Sequence, residues 1–169
     1  YPVTNGDYEE FITENRKRAP RHWPASGLND ELRDLPIVML TYDEACAFAE
    51  GLGKALPTPA QYEKAARGNE GLKYPWGDQS ESRFSNTKES GIGKLTSVDS
   101  FPAGQSPCGC FDLAGNVLHW TRGVYDPDNG TQIAMGSSFK HYLGASHWIH
   151  EEAPEKRRDY LSFRCVWRP

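Results

Sequence analysis

No apolar run in this 169-residue chain approaches the length of roughly 20 residues that spans a bilayer, so it encodes no transmembrane helix. Positive charge is not in excess either. The net charge of −4 gives no global electrostatic footprint for nucleic acid. Two basic clusters exist, Arg16-Lys17-Arg18 with Arg21, and Lys156-Arg157-Arg158. Acidic neighbours (Glu14, Glu155, Asp159) dilute both, and each reads as a solvated surface stretch. The chain shows no internal repeat, no low-complexity tract and no signal-peptide pattern. Cysteine is scarce, with four residues, and the C-x-x-C spacing of zinc or thioredoxin-like sites is missing. Cys108-Gly109-Cys110 has C-x-C spacing and no second thiol pair close in sequence, so it reads as structural.

Turn formers and rings are plentiful. Sixteen Gly, twelve Pro and 12% aromatic residues describe a loop-rich domain held by aromatic packing. At this length one domain over 1–169 is expected, with a core that needs no disulfide staple. Three helices carry local signals. Thr4 is an N-cap ahead of an apolar face at Tyr8, Phe11 and Ile12. Thr41-Tyr42-Asp43-Glu44 is a capping box opening a helix with Ala45, Phe48, Ala49 and Leu52 on one face, stopping near Gly51 and Gly53. Thr58-Pro59-Ala60-Gln61 is a second box, with Pro at the first helical position, for a helix ending at Gly68. Segment 69–110 reads as long ordered loop with short strands, for instance around Ser97–Phe101. Short strands are expected at Val117–Trp120, Ile133–Met135 and Phe163–Val166.

Six phrases occur in fixed order: PVTNGDY (2–8), LPTPAQYEKAARG (56–68), YPWGD (74–78), FDLAGNVLHWT (111–121), GSSF (136–139) and SFRC (162–165). Together they resemble the formylglycine-generating enzyme, or sulfatase-modifying-factor, family over nearly the whole chain. The resemblance implies an α+β, C-type-lectin-like fold, loop-rich, with short antiparallel strands and about three helices. Family members usually carry a further strand before this point, so a trimmed N-terminus is expected. In secreted members, cysteines at the places of Cys46 and Cys165 form a disulfide; the alternative is a pair of reduced, buried, small apolar residues.

Departures from the family pattern bear on function. Active members place two copper-binding thiolates after the GGS(W/Y) turn, and soft thiolates suit Cu(I). Laid on from Gly136, the pattern puts His141 and Ser146 near those two places, and no cysteine lies between Cys110 and Cys165. Copper chemistry is therefore not expected. The family phrase Gly-Asn-Val-Trp-Glu-Trp carries a Glu that helps bind structural calcium. Here His119 replaces it, while Asp112, Asn116 and Trp120 are kept. An imidazole is a poor calcium ligand, so that site is expected to be weakened or empty. Asn86 and Glu89, in the loop matching a second calcium site, could add oxygens. Calcium is the one cofactor these residues suggest.

Four of the five histidines, His119, His141, His147 and His150, lie in the half that builds the family's active groove. They could converge on zinc, copper or iron, or serve a polar aromatic surface. Phe139, His141, Tyr142, His147, Trp148, His150 and Tyr160, mixed with Lys140, Ser146 and Glu151, have the composition of a recognition surface. The rival is that these rings fill a core beneath loops; Trp120 and Trp167 are expected in the core in either case. Some relatives, the variable proteins of diversity-generating retroelements, diversify this stretch. The leading expectation is a non-catalytic module binding a protein or small-molecule ligand through 139–160. Its alternative is a metal-dependent oxidoreductase with a histidine-based site, and a third reading is a partner-holding domain of a larger polypeptide.

Overall fold

A computed structural model describes residues 1–168. Three threonines decide where its long helices begin. Thr4, Thr41 and Thr58 each accept a bond from the amide three residues on, while the side-chain oxygen at that position (Asp7, Glu44, Gln61) accepts one from the cap's own N–H. Two orphan donors per helix are thereby satisfied. The helices are α1 (Asn5–Glu14), α3 (Tyr42–Gly51) and α4 (Pro59–Arg67), the last stopped by Gly68 at φ 65°. A four-residue helix α2 (Asp30–Arg33), capped by Asn29, lies between α1 and α3 and was not anticipated.

The main sheet has the order β4-β3-β2-β5, built from β2 (Leu118–Asp126), β3 (Thr131–Met135), β4 (Ile149–Glu152) and β5 (Leu161–Phe163). β3 pairs antiparallel with both β2 and β4, but β2 and β5 run parallel, which departs from the expected antiparallel set. The reason is topological: after β4 the chain crosses to the far side of β2 through 153–160 instead of turning back beside β4. A separate ribbon joins β1 (Lys54–Ala55) to β6 (Val166–Trp167). The N-terminal segment borders β5 through Val3 N–H to Phe163 O at 3.0 Å.

Strand alternation splits the core in two. Leu118, Trp120, Ala134, Leu161 and Phe163 pack with Tyr8, Phe11 and Phe48 of α1 and α3. Phe11 and Phe48 meet edge to face at 4.9 Å, and Phe48 meets Phe163 at 5.3 Å. On the other face Met135 packs with Tyr62, Ala66 and Leu113. Each fully buried large side chain stabilises by roughly 1.5–3 kcal/mol.

The long loops are pinned by amides, not by strands. Asn116 Nδ2 donates to Thr96 O and to Asp112 Oδ2, Asn86 Nδ2 donates to Asn116 Oδ1, and Asn116 N–H donates to Asn86 O. Asn86 and Asn116 are fully buried. Between them Gly115 is obligatory, since a Cβ there would lie 2.8 Å from Ser85 Cβ.

Three expectations need correction. Ser97–Phe101 forms a turn, with Val98 N–H bonded to Asp34 O and no strand partner. Trp167 is 76% exposed, because two-residue β6 lies at the rim, with the Lys54 ammonium 4.9 Å over its ring. Cys46 and Cys165 are free thiols beside the larger core, so the structure takes the reduced alternative. Burial pushes the Cys165 thiol up to about 11, which keeps it protonated and unreactive.

Candidate functional site

The segment after β3 begins with a constrained turn. Gly136 sits at φ 96°, and a Cβ there would stand 2.5 Å from the Tyr62 hydroxyl. Only glycine combines that φ with that approach. Beyond it, Ser137 Oγ donates to Tyr142 O at 2.8 Å, and Ser138 Oγ lies 2.6 Å from His141 Nδ1. Leu143 N–H donates to both Glu89 carboxylate oxygens at 3.0 Å, and Ser146 Oγ donates to Lys73 O at 3.2 Å. Lys88 N–H donates to His141 O at 2.9 Å. The loop is thus held from both sides by segment 73–89, a contribution that no local sequence signal announces.

His141 and His150 are brought together, with ring centroids 5.3 Å apart, and His141 meets Tyr160 edge to face at 5.0 Å. His150 Nε2 donates to Gly136 O at 3.2 Å. Burial, then the neighbouring His150 and Lys140, hold the His141 imidazole below its usual range. Lys140 pairs with Asp159 above Tyr160.

His119 is elsewhere. It is fully buried between Arg164 Nη2, 3.1 Å from its Nε2, and Tyr62 Oη, 3.1 Å from its Nδ1. Arginine only donates, so Nε2 must accept; Nδ1–H then donates to Tyr62, whose own hydroxyl donates to Leu113 O at 2.9 Å. Burial, then Arg164, drive its pKa well below the ordinary value. His119 is a neutral structural link. His147 is exposed on the loop. Among the described residues no three His, Cys, Asp or Glu side chains gather as a metal site. The four histidines therefore meet only as the pair His141–His150.

Of the calcium candidates, Asn86, Asp112 and Asn116 meet, whereas Glu89 bonds to Leu143. The amide N–H groups point at the neighbouring side-chain oxygens, and a cation would need those oxygens free. Burial raises the Asp112 carboxyl to about 7, against the lowering effects of Asn116 and Arg164. Amide hydrogens that point inward at the cage's own oxygens leave no free oxygen set for calcium in this arrangement.

The aromatic expectations divide. Phe139 is buried under the loop and is not a surface group, because its amide bonds to Asn116 O and draws it inward. Tyr160 and His150 are half-buried. Tyr142 is 60%, Trp148 49% and Ile149 48% exposed. Lys88 sits 4.5 Å over the Tyr142 ring. Trp148 lies against Gly144, where a Cβ would stand 2.4 Å from the indole. The strand alternation of β4 could have flagged Ile149; Gly144 and Lys88 had no sequence signal.

This arrangement, a two-sided helix–sheet core with a pinned loop after a glycine turn, has known counterparts. The sulfatase-modifying factor enzyme 1-like domain model matches residues 1–169. The chain belongs to this family. It is 31% identical to the inactive C-alpha-formylglycine-generating enzyme 2 of Bos taurus, over 98% of this chain and 75% of that protein. It is 36% identical to the formylglycine-generating enzyme of Mycobacterium tuberculosis, over 79% of this chain and 58% of that one. Treponema denticola variable protein 1 superposes with a TM-score of 0.78 at 17% identity, over 96% of this chain and 81% of that one. That likeness speaks to the fold alone. In the loop after the glycine turn, His141 is bonded to Ser138 and Ser146 to Lys73, with no cysteine in the segment.

Proposed function

We propose that this member is a non-catalytic recognition domain spanning the chain, which binds a protein or small-molecule ligand through the 139–160 surface. One observation carries the reading. The loop that would present copper thiolates instead presents Tyr142, His147 and Trp148 to solvent, on a backbone fixed by Ser137, Ser138, Ser146 and Glu89. Rigid rings on a fixed backbone lose little entropy on binding. Similarity to a protein named inactive supports it.

The test is selection of peptides from a displayed library on the wild-type domain. His147→Ala with Trp148→Ala is expected to weaken the selected peptides about tenfold or more, while the melting temperature stays within about 2 °C. Peptides indifferent to the double variant would refute the assignment, and a large loss of stability would return these rings to the core.

A further inference from the structure

The two basic clusters that look like separate solvated stretches come together in the fold. Arg18, Arg21 and His22 from the loop after α1, and Arg157 from the crossing before β5, line one cavity of about 740 Å³. Its remaining walls include Tyr8, Met39, Leu40 and Glu44. Arg157 is the one lining residue that falls within 139–160, and Tyr142, His147 and Trp148 do not line the cavity.

The parts of this cavity are not equivalent. Arg157 is fixed: its Nη1 and Nη2 grip the two Glu44 oxygens at 2.6 and 2.8 Å, and Nη1 also donates to Met39 O. Its charge is therefore answered from within. Arg18 and Arg21 make no ion pair among the described residues. Three arginines against one carboxylate leave the cavity a net charge of +2. Tyr8 adds an independent sign. Its side chain is 6% exposed, yet its hydroxyl has no hydrogen-bond partner among the described residues, although it lines the cavity. Burial, then Glu44, push this phenol up to about 12, so it stays a donor. Facing the cavity, that hydroxyl is available to donate to an acceptor that enters it.

We infer that this cavity binds a small organic dianion with an apolar body, of the aryl phosphate class, its phosphate between Arg18, Arg21 and the Tyr8 hydroxyl and its ring against Met39 and Leu40. Guanidinium forks match phosphate oxygens two at a time. The apolar floor selects for the ring, and the net charge of +2 selects against monoanions.

Titration calorimetry with phenyl phosphate, inorganic phosphate and benzoate tests this on the whole chain. Phenyl phosphate should bind saturably, and about tenfold tighter than either control. Arg18→Gln with Arg21→Gln should weaken it at least about tenfold, and Tyr8→Phe about threefold to tenfold. The arginines are exposed and the Phe variant keeps the core ring, so all should fold. Absence of saturable binding, equal affinity for inorganic phosphate, or indifference to the arginine pair would overturn the inference. A tyrosine-phosphorylated peptide binding tenfold tighter than phenyl phosphate would replace the small-molecule ligand with a protein.

Discussion

Acid should destabilise this domain through His119, and replacing that residue with glutamine should remove the effect. The folded protein cannot accommodate the imidazolium, because Arg164 occupies Nε2 at 3.1 Å and the ring is fully buried. The unfolded chain titrates His119 near its ordinary value of 6.5. A depressed folded pKa gives stability that is present above the unfolded pKa and is lost as the pH falls below it. Each pH unit below that point costs about 1.4 kcal/mol until the depressed folded pKa is reached. Asp112 acts in the opposite sense, since its carboxyl is raised to about 7. The two must therefore be separated by a double difference. Urea unfolding of wild type and His119→Gln at pH 7 and pH 4.5 leaves the Asp112 contribution common to both proteins. Glutamine keeps an acceptor for Arg164, and its cost at pH 7 should be about 1–2 kcal/mol. On passing to pH 4.5 the gap should close, or reverse, at up to about 1.4 kcal/mol per pH unit. An identical pH dependence in the two proteins would refute the neutral link between Tyr62 and Arg164.

The Asp112 carboxyl, raised above its unfolded value, contributes stability at low pH that is lost as the pH rises through about 7. Asp112→Asn should flatten the decline between about pH 4 and pH 7 in the same unfolding assay. Asn116→Ala removes bonds to Thr96, Asp112 and Asn86 at a fully buried site. It should cost about 3 kcal/mol or more and raise hydrogen exchange in 86–96 by mass spectrometry. Gly144→Val should displace the Trp148 indole, red-shifting tryptophan emission while changing the melting temperature by less than about 4 °C.

Helix starts were legible because a capping box is written in four consecutive residues. Thr41 and Glu44, like Thr58 and Gln61, carry all the information their bonds use. Strand pairing is not local: nothing near Leu161–Phe163 says that it will lie parallel to β2. Phe139 and Trp167 exchange their expected environments for the same reason. An aromatic residue's sequence gives its appetite for burial, not whether a partner arrives; Asn116 draws Phe139 in, and the two-residue ribbon leaves Trp167 out. The ring-rich composition of the 139–150 loop was legible, whereas its supports, Lys73, Lys88 and Glu89, lie some fifty or more residues away. The arginine cavity was invisible, since its charges come from opposite ends of the chain.

The central claim is that the loop of Tyr142, His147 and Trp148 is where this family member meets its ligand. Its most direct test is the chemical-shift footprint of a selected peptide on isotope-labelled protein. The account predicts the largest shifts at Tyr142, His147, the Trp148 indole N–H and Ile149, fading through Tyr160. A footprint centred on another face, with this loop unmoved, would contradict it.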